Sequence, residues 1–234
     1  MASLEELKLF RTSPHPCSYL DEQATTVFID PDAAVDKALY SQLSRHGFRR
    51  SGQHLYRPHC ESCQQCILSR IPVTDFSFNR SQKRCLKRNS DIRVEVFEQS
   101  DMALDYPLYA RYISTRHRDG DMYPPSEEQY RSFLSAEWGV TRFARFYREE
   151  QLIAVSVFDL LDDGLSAVYT FFDPLEHKRG LGNFAILWQI EQARALGLNY
   201  LYLGYWIKGC QKMSYKIHFR PLQLYIDRRW LTLR

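Results

Sequence analysis

The sequence lacks the features of an exported or membrane-spanning protein. No stretch approaches the roughly 18 uncharged apolar residues of a transmembrane helix, so we predict no membrane contact. The opening segment "MASLEELKLFRT" has acidic residues and no apolar run, unlike a signal peptide. We therefore expect a cytoplasmic protein, in which the six cysteines are reduced thiols or metal ligands and not disulfides.

Common catalytic motifs are also absent. The chain has no P-loop, no H-E-x-x-H motif and no visible Ser-His-Asp arrangement, and it contains no internal repeat. A hydrolytic nucleophile or a nucleotide-triphosphate machine is therefore not indicated. The net charge is only +3, so the distribution of charge carries more information than its sum.

Positive charge is concentrated in two blocks, 79–93 and 205–234. In the first block, basic residues recur at spacings of three and four and would share one face of a helix over 80–89. They are Arg80, Lys83, Arg84, Lys87 and Arg88. Such a face is typical of a surface that follows a nucleic-acid backbone, and a solvated face balanced by acids elsewhere is the alternative.

The segment "YRPHCESCQQC" places Cys60, Cys63 and Cys66 at a strict spacing of three. Thiolates in this pattern can share one metal centre, with Cys17 or His59 as the fourth ligand. The pattern therefore predicts a possible zinc site or iron–sulfur cluster. Small buried thiols in a tight loop are the alternative.

The elements divide the chain into two parts. Residues 1–75 are predicted to form a small α/β unit, with a helix that starts at Asp30-Pro31 and ends at Gly47. Strands over 48–57 and 67–73 lie on either side of the cysteines. Residues 76–234 contain helices over 101–117 and 126–138, three consecutive strands from 141, a long helix ending at Gly197, and further strands.

This order predicts an α+β fold and resembles the GCN5-related N-acetyltransferase (GNAT) fold, a mixed sheet flanked by helices. In that fold a glycine-containing turn opens a long helix, and its backbone N–H groups meet the donor's pyrophosphate. The corresponding segment is "RGLG", residues 179–182. Tight packing between strand and helix is the alternative explanation for the two glycines.

Two further segments carry polar chemistry. Residues 204–216, "GYWIKGCQKMSYK", combine aromatic rings that can stack on bases with Lys208, Lys212 and Lys216, which can hold phosphates or a carboxylate. A terminal amphipathic helix would also explain this segment. In "RHRDGDMYPP", residues 116–125, His117 could carry a proton at neutral pH, although an ordinary turn is the alternative.

Taken together, these stretches resemble the bacterial aminoacyl-tRNA–protein transferases of the arginyltransferase family, and within it the aspartate/glutamate leucyltransferase branch. The matching stretches follow the same order along most of the chain. They are "HPCSYL", "LYRPHCESCQQCILSRIPV", "FNRSQKRCLKRN", "RHRDGDM", "VYTFFDP", "LG" and "YLGYWIKGCQKMSYKIHFRP". The chain departs from eukaryotic relatives at Leu20, where they carry a second cysteine.

The resemblance implies that leucine is moved from its tRNA to the α-amine of proteins that begin with Asp or Glu, which marks them for N-degron (N-end rule) degradation. An aminoacyl ester is already activated, so the chemistry requires no cofactor.

The resemblance also implies which residues form the site. We expect His117 and Asp121 in catalysis, and Arg80, His117 and Lys212 in binding the acidic N-terminal residue of the acceptor. The aminoacyl and adenosine pocket would contain Tyr169, Phe171, Leu181, Gly182 and Tyr205. The tRNA would contact Arg80, Lys83, Arg84, Lys87, Arg88, Lys208 and Lys216, and a metal would bind Cys17, Cys60, Cys63 and Cys66.

Three alternatives stay open at this point. Arginine could be the donated residue, in which case its pocket would want a buried acid. A conventional N-acetyltransferase would use acetyl-coenzyme A, but the basic blocks disfavour it. A metal-binding RNA adaptor without activity is disfavoured by the apparent acyl-donor turn.

Overall fold

The computed structural model describes residues 7–234. The first part of the opening segment considered above lies outside these residues. Among the helices of the described chain, none has both the length and the apolar character needed to cross a membrane. The five α-helices are α1 (Lys37–Arg45), α2 (Arg80–Arg88), α3 (Met102–Arg116), α4 (Glu127–Leu134) and α5 (Leu181–Ala195). Two 3₁₀ segments span Pro174–Arg179 and Gln211–His218.

Fourteen strands form three sheets in the described residues. The strands are β1 (Leu9–Arg11), β2 (His15–Pro16), β3 (Gln23–Ala24), β4 (Thr26–Ile29), β5 (Arg49–Ser51), β6 (His54–Pro58), β7 (Ile67–Pro72), β8 (Ile92–Phe97), β9 (Thr141–Arg148), β10 (Gln151–Leu160), β11 (Gly164–Phe172), β12 (Tyr200–Trp206), β13 (Leu222–Ile226) and β14 (Arg229–Leu233). The orders are β14-β13-β7-β12-β11-β10-β9-β8, β1-β4-β6-β5 and β2-β3. This architecture confirms the α+β class, whereas its assignment to the GNAT fold stays a prediction.

The first helix begins later than predicted. The Asp36 carboxylate caps α1 by accepting a hydrogen bond from the Leu39 N–H at 2.8 Å. The Asp30 carboxylate instead accepts from the Asp32 N–H at 3.0 Å, which stabilises a turn. The predicted strand over 48–57 is likewise a hairpin of β5 and β6, and the predicted helix over 126–138 ends at Leu134.

The sheet packs its faces against different helices. One core lies between the sheet and α5 and includes Phe146, Leu187 and Leu201. A second lies under α3 and α4, where Tyr109, Tyr130 and Phe171 are fully buried. The second core includes Phe171 and so holds the C-terminal end of β11, while Leu203 of β12 packs into the first core.

The N-terminal sheet is joined to the large sheet by buried polar contacts. The Arg50 guanidinium donates to both oxygens of Asp159 on β10, at 2.6 and 2.8 Å, and the Tyr40 hydroxyl adds a 2.8 Å bond. In addition β7, from the predicted unit 1–75, pairs inside the large sheet between β13 and β12. The division at residue 75 stays a prediction, but the two parts share one sheet.

Candidate functional site

A gap opens between two neighbouring parallel strands of the large sheet. β11 and β12 pair only from Gly164 opposite Tyr200 to Ser166 opposite Tyr202. Beyond these residues both strands continue, to Phe172 and Trp206, without pairing to each other. Ligands commonly bind at the carboxyl ends of parallel strands, because the diverging backbone leaves room there.

Arg49 reaches into this gap from β5. Its Nη1 donates to Ser166 Oγ at 2.7 Å, and its Nη2 donates to the carbonyl oxygen of Ala167, the residue at which the strands separate. A Cβ at position 204 would lie 3.2 Å from the Arg49 Nε, so Gly204, with φ +77°, gives the guanidinium its place against β12. Arg49 is buried, although it is an arginine on a three-residue strand.

Lys216 lies buried on the β12 side of the same gap. Its Nζ donates to the carbonyl oxygen of Tyr205. Burial, with a further contribution from the positive charge of Arg49, lowers the pKa of Lys216 to about 7. The predicted contact of Lys216 with tRNA stays a prediction, and the burial of its ammonium does not support it.

The aromatic residues predicted for the ligand pocket have two different environments. Tyr205 is buried beside the gap, and its hydroxyl donates to the Gly47 carbonyl at 2.5 Å. Tyr169 is half-buried, with its ring 5.4 Å from that of Phe133. Phe171 is fully buried, 5.5 Å from the Tyr109 ring, and belongs to the second core. A role for these three rings in binding stays a prediction.

The loop after α3 brings His117 and Lys212 together. The Lys212 Nζ lies 2.9 Å from Asp119 Oδ2 in an exposed ion pair. Burial lowers the pKa of His117, and the charges of Lys212 and Arg116 lower it further. His117 is therefore a neutral imidazole near pH 7, as a proton acceptor must be.

Asp121, the acid predicted to act with His117, has other partners. Its Oδ2 accepts a 3.3 Å hydrogen bond from Ser18 Oγ, and its backbone carbonyl accepts from Gln129 Nε2 at 3.3 Å. Asp119 is the acid whose charge acts on His117. The catalytic role of Asp121 stays a prediction that none of these contacts supports.

The segment "RGLG" opens α5 as predicted. Gly180 has a left-handed conformation, with φ +68° and ψ 43°, and occupies the N-cap position without a side-chain hydrogen bond to the helix. The first N–H groups of α5 therefore have no side-chain cap. Leu181 is buried in the main core, and Gly182 lies against the Phe172 ring, where a Cβ would be 3.6 Å from its Cε1.

Helix α2 turns its basic side chains outward. Asn79 and Gln82 form a capping box at its start, while Cys85 and Leu86 pack toward the main core. The exposed residues are Arg80, Lys83, Arg84, Lys87 and Arg88, and none of them forms an ion pair within residues 7–234. Lys208, in the loop after β12, is exposed as well. These side chains are available to a polyanion.

The cysteine loop gathers thiols near the same gap. Burial raises the pKa of Cys66 to about 12, and the neighbouring thiols of Cys17, Cys60 and Cys63 contribute to the rise. Across residues 7–234, however, no group of three or more Cys, His, Asp or Glu side chains is arranged to hold a metal ion. The predicted zinc or iron–sulfur centre has no coordination shell in this arrangement and stays a prediction.

Sequence reasoning missed the two buried cations of the gap. Arg49 stands in an unremarkable segment, "GFRRSG", and the pattern around Lys216 predicts a contact with tRNA and not a buried position. One signal in the sequence could have pointed to Arg49. It is the arginine pair Arg49-Arg50, which opens a strand directly after an amphipathic helix. Burial of either residue depends on contacts between distant segments, which periodicity does not report.

The chain matches both parts of one protein family. Residues 15–84 match the family described as "Arginine-tRNA-protein transferase, N terminus", and residues 104–226 match its C-terminus. The chain therefore belongs to the arginine-tRNA-protein transferase family. The gap, the basic helix and the uncapped α5 thus lie in an aminoacyltransferase, which confirms the predicted enzyme class.

Similar proteins over the full length point to one branch. An aspartate/glutamate leucyltransferase of Saccharophagus degradans is 58% identical over 99% of both chains. Those of Teredinibacter turnerae and Pseudomonas aeruginosa PAO1 are 57% and 53% identical, over 100% of this chain and 97% and 100% of theirs. The predicted branch is confirmed by these relatives.

Solved structures are more distant. The C-terminal domain of a lysylphosphatidylglycerol synthetase from Agrobacterium fabrum has a TM-score of 0.46 and 15% identity, covering 72% of this chain and 52% of that one. L-PGS from Bacillus licheniformis has a TM-score of 0.48 and 9% identity, covering 61% and 46%. Likenesses this weak define neither a fold family nor a substrate.

Proposed function

We propose that this protein transfers leucine from Leu-tRNA to the α-amine of proteins or peptides that begin with Asp or Glu. The observation that carries the proposal is the full-length similarity to aspartate/glutamate leucyltransferases, 58% identical to the first of them. The product would be a substrate of N-degron degradation in the cytoplasm. The family description supports an aminoacyl-tRNA donor.

The reaction is an acyl transfer between two bound substrates. The neutral α-amine attacks the ester carbonyl carbon, the new C–N bond forms, and the ester C–O bond breaks as the tRNA oxygen leaves and takes up the proton that the amine loses. The amine has an ordinary pKa of roughly 8 and must lose a proton, which the neutral His117 would accept. Holding both substrates in place can supply much of the acceleration, about 7–11 kcal/mol at best.

Different groups of the chain would bind different parts of the substrates. The exposed cations of α2 would hold the tRNA, since a basic face without ion pairs can bind phosphates directly. The uncapped N–H groups of α5 would face the aminoacyl end of the donor. A zinc or iron–sulfur centre at the cysteine loop would supply structure or regulation, and the transfer itself does not require it.

The experiment offers labelled Leu-tRNA, Arg-tRNA and acetyl-coenzyme A separately, with peptides that begin with Asp, Glu, Lys or Ala. We expect transfer from Leu-tRNA to the Asp and Glu peptides. Transfer from Arg-tRNA instead would make arginine the donated residue, as the family description allows. Transfer from acetyl-coenzyme A only, or no transfer at all, would refute the proposal.

A further inference from the structure

Within residues 7–234, two buried cations in the gap between β11 and β12 have no counter-charge. Arg49 and Lys216 are 9% and 6% exposed. Their hydrogen-bond partners are neutral oxygens of Ser166, Ala167 and Tyr205. No carboxylate within residues 7–234 forms an ion pair with either of them.

This arrangement is costly unless a ligand completes it. Burying one unpaired charge is unfavourable, and two like charges that repel each other are more so. An ammonium has three donors, of which Lys216 uses one on Tyr205. The charge of Arg49 acts directly on Lys216, so one anion between them would be attracted by both and would offset their repulsion.

The location of the pair also matters. Arg49 binds the carbonyl of Ala167 where β11 leaves β12, and Lys216 binds the carbonyl of Tyr205 further along β12. Both cations thus contact the strands beyond the point at which β11 and β12 stop pairing, Arg49 touching both strands and Lys216 touching β12. Other basic groups near the site are less suitable: Lys212 already pairs with Asp119, and both of those groups are exposed.

We propose that Arg49 and Lys216 form the specificity site that binds the side-chain carboxylate of the acceptor's N-terminal Asp or Glu. This rests on the function proposed above and replaces Arg80 and Lys212 as the acid-binding cations. A carboxylate fits better than an RNA phosphate, because tRNA already has the exposed cations of α2. An amide in its place would leave both buried charges unpaired, so the site rejects Asn and Gln.

The test measures peptide binding to the full chain by calorimetry, without any donor. Wild-type protein should bind a peptide beginning with Glu at least about tenfold more tightly than the matched peptide beginning with Gln. In Lys216→Met and in Arg49→Met this ratio should fall to about threefold or less, as expected when a charge-assisted hydrogen bond is lost. Lys216→Arg, which keeps the charge, should retain a clear preference for Glu.

Several controls make the result decisive. Arg229→Met removes an exposed arginine on β14, outside the proposed machinery, and should leave the ratio unchanged. Circular dichroism checks that each variant is folded. If Arg49→Met unfolds, Lys216→Met carries the test, because methionine fills the same space without a buried charge.

The outcomes separate this inference from the proposed function. An unchanged Glu-to-Gln ratio in folded Lys216→Met would overturn the site. A variant of either cation that loses affinity for Leu-tRNA but keeps the preference for Glu over Gln peptides would also overturn the site. The cations would then hold a phosphate of the donor. A wild-type protein that prefers Glu peptides but transfers no leucine would refute the transfer reaction and leave the acid site standing.

Discussion

At the scale of single residues, Lys216 combines a binding role with an unusual titration. Burial and Arg49 on β5 lower its pKa to about 7, while the Cys210 thiol opposes this shift. The other group in contact is the Tyr205 carbonyl of β12, and the neighbouring Tyr215 ring lies 5.8 Å from the Nζ. The ammonium and the neutral amine are therefore both populated near neutral pH.

A pH dependence of acceptor binding follows. A Glu carboxylate binds the protonated ammonium, so its binding takes up a proton once the pH exceeds about 7. We expect the affinity for Glu peptides to fall between pH 7 and 8.5, approaching tenfold for each pH unit at the high end. Calorimetry across this range measures the effect.

The control for this prediction is Lys216→Met. The peptide's own α-amine titrates in the same range, but it does so equally with both proteins. The difference between wild type and variant therefore isolates Lys216. Parallel pH profiles for the two proteins would show that the lysine does not titrate in this window.

Folding responds to the same residue with the opposite trend. The pKa of Lys216 rises from about 7 in the fold to an ordinary value of 10.5 when the chain unfolds. Between these values the unfolded chain binds more protons, so this residue makes the folded state more stable as the pH increases. Below pH 7 its buried charge is at its most costly, which is consistent with a site that awaits an anion.

Asp159 shows the contrasting case of a buried charge that is fully satisfied. Its side chain and that of Arg50 are 0% and 1% exposed, and Tyr40 and Thr141 donate to the same carboxylate. Asp159→Asn leaves the Arg50 guanidinium buried without a charge partner. We expect the free energy of unfolding to fall by about 3–5 kcal/mol, measured by urea denaturation.

The matched control is Asp162→Asn. Asp162 pairs with Lys37 at 3.7 Å, and both side chains are 45% exposed. Exposed pairs contribute about 0–1 kcal/mol, so this variant should retain nearly all of its stability. Equal losses in the two variants would contradict the role assigned to the buried pair.

At the scale of elements, α2 is a short helix with two chemically different sides. Its capping box and its contacts to the main core hold it in place, so the repulsion among its exposed cations is tolerated. That repulsion is relieved when phosphates line the basic side. The helix is therefore expected to contribute affinity for tRNA and not specificity for leucine.

The double variant Arg84→Ala, Lys87→Ala tests this expectation. Affinity for Leu-tRNA should fall, and the slope of log affinity against log salt should become less steep by about 1–2. Binding is measured by titration at several salt concentrations. Arg131→Ala, on the exposed side of α4 and paired with Glu127, is the control and should change neither quantity.

If the double variant keeps the wild-type affinity and salt slope, α2 is not part of the RNA surface. The Glu-to-Gln preference of peptide binding should persist in this variant in any case, because Arg49 and Lys216 are on other elements. The two surfaces can therefore be assigned separately.

At the scale of the whole molecule, the N-terminal part contributes to the large sheet and to the gap between β11 and β12. β7 lies between β13 and β12, and the hairpin of β5 and β6 delivers Arg49 to the gap. A chain of residues 76–234 alone would lack a central strand and expose the pairing edges of its neighbours. We expect this fragment to show no cooperative unfolding transition by circular dichroism.

The full chain expressed in parallel is the reference for that experiment. A fragment with a native-like near-ultraviolet spectrum and a cooperative transition would contradict the expectation. It would also support the predicted division at residue 75 as a true domain boundary.

Most elements could be predicted from the sequence. The basic helix after Asn79, the helix predicted over 101–117 and the long helix that "RGLG" opens all form where local patterns place them. The start of α1 could not be placed, because Asp30-Pro31 and Asp36 are both good caps and only packing chooses between them. Ordered motifs spread along the chain were enough to recognise the family.

The sequence by itself determined the family, the α+β class and the basic face of α2, because each depends on local spacing or on matched motifs. Only the tertiary structure decided which cations are buried. Arg49 and Lys216 come from remote segments, and the fold brings them close enough for the charge of Arg49 to act on Lys216 where β11 and β12 no longer pair. In the described part of the chain it also places the cysteines near one another without a group arranged to hold a metal, since their regular spacing constrains the loop but not the directions of its thiols.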